Sequence, residues 1–117
     1  MWNEIHQVLL QKVKEGVDVR LIYDDFGSIL NMDRDYALEL TKEGIQTRPF
    51  NPIQPQLAIQ MNNRDHRKIV VVDGKTAFTG GSNIADEYIN RKKRFGYWKD
   101  MGLRLDGHAV EQFVISF

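Results

Sequence analysis

Apolar positions at the start of the chain recur at helical spacing. Ile5, Val8, Leu9 and Val13, with Lys12 on the same stripe, predict an amphipathic helix over residues 2–15 that Gly16 stops. The period then changes. Residues 17–23 are rich in Val, Leu and Ile and read as a strand buried on both faces. A second helix is predicted from about Asp33 to Glu43, ended by Gly44, and a short strand follows over 45–50. This helix–strand–helix–strand order predicts parallel strands joined by crossover helices. Pro49, Pro52 and Pro55 then interrupt any regular pattern, which makes 51–63 an ordered surface loop.

The second half opens on two β-rich runs that flank Asp73-Gly74, the pair that most strongly signals a hairpin turn. On the first run His66, Lys68, Val70 and Val72 share one face, and Arg67, Ile69 and Val71 take the other. A two-residue turn would set Lys68 opposite Thr79, His66 opposite Gly81 and Arg64 opposite Asn83; a three-residue loop with a bulge would shift that pairing. Residues 84–90 read as a short helical turn and 91–94 as a four-residue basic run. A last strand is predicted over 97–105, with Met101, Leu103 and Leu105 on one face and Trp98, Asp100 and Arg104 on the other. From Gly107 a helix begins, with Ala109, Val110, Phe113 and Val114 apolar. The fold class is therefore α/β, a mixed β-sheet flanked by helices, in a single domain over 1–117.

Composition narrows the function classes. The 117 residues suffice for one small domain with a modest core. Lys plus Arg equals Asp plus Glu, 16 each, so no global field favours nucleic acid, whose binders carry a basic excess. With no cysteine, thiol catalysis, thiolate metal sites and disulfides are excluded. No apolar run approaches the length of a membrane span, and no signal peptide is visible.

The hairpin pattern gathers a potential nucleophile (His66), an ammonium (Lys68), an amide (Asn83) and a bare backbone at Gly80-Gly81. Phosphodiester chemistry needs such a set. Imidazole attacks phosphorus because it titrates near neutrality, and donors must hold the non-bridging oxygens. Asp24-Asp25 could suggest a metal, but adjacent carboxylates at a strand end point apart, so a capping or loop role fits better. His6 and His108 have no acidic or histidine partner at ligand spacing and read as incidental. The basic run reads as a solvated loop or as a contact for anionic headgroups.

These residues also carry a resemblance. His66, Lys68 and Asp73 stand as H-x-K-x-x-x-x-D, followed by Gly80-Gly81-Ser82-Asn83, which resembles the signature of the phospholipase D superfamily. YDDFGS at 23–28, NNRDHRK at 62–68, GGSNIADEY at 80–88 and FGYWKD at 95–100 are similar, in order and spacing, to bacterial cardiolipin synthases. The resemblance covers nearly the whole chain. It implies a phospholipase D-like half-domain, truncated at both ends, whose full-length relatives reside in the cell membrane. The piece itself, with no spanning segment, is expected to be soluble.

By resemblance, His66 attacks the phosphate of phosphatidylglycerol to form a phosphohistidine. Lys68 and Asn83 hold the phosphate oxygens beside Gly81, and Asp100 orients the histidine. Asp73 is the motif's third letter and so joins the catalytic set. Its place before Gly74 and its parity against His66 point instead to a turn former. The scheme implies no metal and no organic cofactor. It does imply a second-motif half or a homodimer mate to supply a general acid, an anionic membrane surface around the whole protein, and no nucleic acid partner. A single-motif homodimeric nuclease and a non-catalytic remnant that mediates association are the alternatives.

Overall fold

The computed structural model describes residues 1–24, 35–50 and 65–116. The expected surface loop at 51–63, the start of the second helix, Asp25, Arg64 and Phe117 lie outside the described residues. The chain is α/β with both parallel and antiparallel pairing, in two compact units. One unit spans residues 5–66; the other joins residues 1–4 to 67–117. Among the described residues no helix is long and apolar enough to cross a membrane.

In the 5–66 unit the order is helix α1 (Trp2–Lys14, whose first turn belongs to the other unit), strand β1 (Arg20–Asp24), helix α2 (Tyr36–Lys42) and strand β2 (Gln46–Phe50). β1 and β2 are parallel, with Arg20 opposite Gln46 and Asp24 opposite Phe50, as the crossover order predicts. Both helices stop where glycine was expected to stop them, and for one reason. Gly16 (φ 85°) and Gly44 (φ 93°) take the left-handed conformation that closes a helix end. In each case two backbone N–H groups fold back on the last turn. Gly16 donates to Val13 and Val17 to Lys12, while Gly44 donates to Thr41 and Ile45 to Leu40. At the second stop the apolar pair that such a closure brings together, Leu40 and Ile45, is fully buried. Each side chain contributes roughly 1.5–3 kcal/mol by leaving water. Gly44 is also tight: a Cβ there would meet Val13 Cγ1 at 2.7 Å.

β1 departs from the expectation of burial on both faces. Leu21 and Tyr23 are half-covered, as are Thr47 and Pro49 on β2, whereas Arg20, Ile22, Gln46, Arg48 and Phe50 are exposed. The parallel register puts Ile22 beside Arg48 and on the face of Arg20, and a face carrying two guanidinium groups stays solvated.

The other unit is a three-stranded antiparallel sheet, β3 (Ile69–Val72), β4 (Thr76–Gly80) and β5 (Gly102–Asp106), in the order β3-β4-β5. The Asp73-Gly74 turn is present, with both residues at left-handed φ (53° and 61°) and Lys75 N–H donating to the Val72 carbonyl at 3.0 Å. The pairing is shifted by one residue, however. Val72 pairs with Thr76 and Ile69, not Lys68, stands opposite Thr79. Lys75 is the extra residue, a bulge that follows the tight turn. One face of the sheet carries Ile69, Val71, Ala77, Leu103 and Leu105. It is closed at one end by Ala77 and Val110, both fully buried.

β5 is shorter than the predicted 97–105. Residues 97–101 leave the ladder because their polar backbone is satisfied locally: Trp98 N–H donates to Asn90 Oδ1 at 2.7 Å, and Met101 N–H to Asp100 Oδ1 at 2.7 Å. The expected turn at 84–90 is a 3₁₀ turn over Asp86–Ile89, ended by Asn90 at φ 60°. The expected terminal helix is a 3₁₀ turn, His108–Val110, running into helix α3 (Glu111–Val114).

Candidate functional site

Lys68 is half-buried and sits immediately before β3, and Gly80 ends β4. Pairing stops there, so Gly81, Ser82 and Asn83 continue beyond the ladder and strand parity no longer governs where Asn83 points. Asn83 is half-buried. What gathers at this end of the sheet is organised around Asp100. Its Oδ2 accepts the Ser82 hydroxyl at 2.6 Å and the Trp98 indole N–H at 3.2 Å, and its Oδ1 accepts the Met101 N–H. The carboxylate lies against Gly81, where a Cβ would come within 3.0–3.1 Å of its two oxygens. Any side chain at 81 would push it away.

The electrostatic consequence has a definite sign. The Ser82 hydroxyl first, then the Met101 N–H, the Trp98 indole and the Gly81 N–H, hold Asp100 below the usual carboxylate range. Each donor stabilises the charged form. Asp100 is therefore an ionised acceptor held from several sides, suited to fixing a neighbouring N–H and not to donating a proton. Trp98 is held in turn. Its ring meets Tyr88 edge-on at 4.8 Å and Phe95 at 5.8 Å. Its backbone is gripped at both polar groups by Asn90, whose Nδ2 donates to the Trp98 carbonyl at 2.9 Å.

The predicted strand put Trp98 and Asp100 on one face with Arg104; the first two do bond, but both lie outside β5, and Arg104 bonds to Asp106 instead. Sequence reasoning missed Ser82 and Asn90. The signal for Ser82 was its place in the Gly-Gly-Ser-Asn run. Asn90 had none, because its role depends on a partner eight residues away.

His66 belongs to the other unit, where it is exposed. The chain just before it is fixed by the Asp65 N–H, which donates at 3.0 Å to Asp24 Oδ2 at the end of β1. Asp24 thus has a loop-anchoring role, the one preferred for it over metal binding. Asp73 occupies the first corner of the hairpin turn and is exposed. His6 and His108 do have acidic partners, contrary to expectation: Glu43 at 2.7 Å and Glu111 at 3.3 Å. The first arises because α1 and the end of α2 approach one another, which spacing along the chain does not show. Among the described residues no three His, Asp or Glu side chains gather as ligands for a metal ion.

Comparison with known proteins adds a family to this geometry. Residues 2–95 match the family described as cardiolipin synthase, PLD-like domain. The chain is 46% identical over 116 residues to cardiolipin synthase 2 of Bacillus cereus, covering 98% of this chain and 22% of that protein. It is 42% identical over 116 residues to a cardiolipin synthase of Geobacillus kaustophilus, covering 98% of this chain and 23% of the relative. An uncharacterized protein of Streptococcus mutans is 50% identical over 117 residues, all of this chain and 25% of its own length. The chain thus spans about a quarter of the length of these curated relatives.

Proposed function

The chain belongs to the cardiolipin synthase, PLD-like domain family, and on that premise we propose that it supplies one half of a site for phosphatidyl transfer. His66 is the nucleophile. An imidazole nitrogen attacks the phosphorus of phosphatidylglycerol, a P–N bond forms, and the P–O bond to the departing glycerol breaks. The glycerol alkoxide takes a proton from a general acid. The primary hydroxyl of a second phosphatidylglycerol then attacks the phosphohistidine, its proton passes to the same acid–base group, and cardiolipin and free His66 result. Lys68 and Asn83 hold the non-bridging oxygens as charge builds on them. Asp100 accepts the other imidazole N–H, which fixes the tautomer and stabilises the imidazolium.

The observation that supports this reading most is the ionised Asp100 locked by Ser82, Trp98 and Met101 next to the Gly-Gly-Ser-Asn run. One imidazole cannot be nucleophile and acid in one step. The only other histidines of the chain, His6 and His108, lie outside the H-x-K motif, in the helical segments at either side of it. The acid therefore comes from a second motif half or a second copy, and the assembled enzyme works at the cell membrane where its lipid resides. Asp73 forms the turn and takes no chemical step.

The test is to supply the chain with a second-motif half, incubate it with phosphatidylglycerol labelled at its phosphate, and quench in base, where a phosphohistidine survives. Label on His66, lost in His66→Asn, is the expected result. Label retained by that variant would assign the nucleophile to another residue.

A further inference from the structure

The loop that carries Trp98 to the site has a second side. Trp98 and Asp100 bond to each other, while the apolar residues around them are exposed: Tyr97 at 84%, Met101 at 79% and Leu103 at 60%, with Phe95 at 53% just before them. Between residues 91 and 101 stand five cations and one carboxylate, Asp100, which is taken up by the Ser82 hydroxyl. The cations divide into two kinds. Arg91 pairs with Glu4, and Arg94 with Glu87 at 3.0 Å while lying 5.1 Å from the Phe95 ring centroid, so both arginines hold the loop down. Lys92, Lys93 and Lys99 are exposed and make no salt bridge among the described residues.

We infer that the exposed side of residues 92–103 is a docking surface for an anionic lipid bilayer, with Tyr97 and Met101 entering the interface and Lys92, Lys93 and Lys99 meeting the headgroups. This deepens the reading of the site as one that acts on a phospholipid. Charge complementarity selects the occupant. Lysines are depleted at protein–protein interfaces, whereas lysine beside exposed tyrosine suits the boundary between headgroups and acyl chains. The placement also suits the chemistry, since the Met101 N–H is itself a donor to Asp100. A bilayer that takes up the Met101 side chain therefore brings phosphodiester groups to the depth of that carboxylate.

The test is co-sedimentation of the 117-residue chain with phosphatidylcholine vesicles, with and without phosphatidylglycerol. Binding is expected only to the anionic vesicles and should weaken with salt. The Lys92→Gln, Lys93→Gln, Lys99→Gln triple variant should lose roughly 100-fold in affinity at low salt. Tyr97→Ser with Met101→Ser should lose binding that lower salt does not restore. A Tyr97→Trp indole should be quenched by brominated acyl chains. Equal binding to both vesicle types, an unchanged triple variant or an unquenched Trp would overturn the inference. So would a serine pair that turns a dimer into a monomer and leaves vesicle binding intact, because the face would then join two copies of the chain. Tungstate binding, lost on Lys68→Gln, reports separately on the phosphate site, so failure of the docking surface leaves that reading to its own measurement.

Discussion

The two units of this chain are ordered by different means. In residues 5–66 the decisive elements are backbone and hydrocarbon: two helices stopped by left-handed glycines, one stop sealed by the buried pair Leu40 and Ile45. At the end of the three-stranded sheet the decisive elements are side-chain hydrogen bonds. Asp100 is held by Ser82, Trp98 and Met101, and Trp98 is held by Asn90. Apolar closure tolerates small adjustments of position, because burial has no direction. A hydrogen-bonded carboxylate does not, because its bonds lose strength steeply with angle and distance. The second kind of order belongs where a charged group must be held still, and there it fixes Asp100, whereas the proposed nucleophile His66 lies in the first unit.

The contrast is sharpest in Asp100→Asn. The amide keeps the volume of the carboxylate, and the Ser82 hydroxyl can rotate to suit it, so unfolding free energy should fall only slightly. Phosphorylation of His66 from phosphatidylglycerol should fall by roughly 10³–10⁴-fold, the loss expected when an orienting carboxylate becomes an amide of the wrong hydrogen-bond pattern. Rapid-quench labelling compared with chemical denaturation reads both quantities. A proportionate fall in both would mean that Asp100 serves the fold alone.

A pair of glycine substitutions tests the other unit. Gly16→Ala meets no atom within 4 Å and suffers only the left-handed backbone, about 1–2 kcal/mol. Gly44→Ala adds a Cβ at 2.7 Å from Val13 Cγ1, and should cost roughly 3 kcal/mol in all. Urea unfolding of the two variants measures the difference. Equal losses would show that α1 yields at Val13.

The smallest expected effect is one of pH. Asp100 has a folded-state pKa below its ordinary 3.8, so its contribution to stability is fully present above that value and is lost as pH falls through the lowered one. Thermal unfolding should therefore show a loss below about pH 4 that is shallower in Asp100→Asn. An identical acid profile in the two proteins would mean that Asp100 keeps no folded-state donors in solution.

Much of this molecule was written in local chemistry. Glycine at 16 and 44 determined where both helices stop, because a left-handed residue is compatible with glycine almost alone. Asp73-Gly74 determined a tight turn, and the order of elements determined a parallel pair, since helix-connected strands have few other routes. The bond between Trp98 and Asp100 lies outside β5, so it does not rest on the strand alternation that suggested the pair. Register was not legible, because Lys75 can be accommodated as a bulge or as a paired residue, and only the bonds of β4 to both β3 and β5 decide between them. Nor was the end of β5, where Asn90 takes the backbone of Trp98 and the Asp100 carboxylate that of Met101. Tertiary structure decided those points because each hydrogen-bonding group has several possible partners, and the choice depends on which of them the rest of the fold brings within about 3 Å.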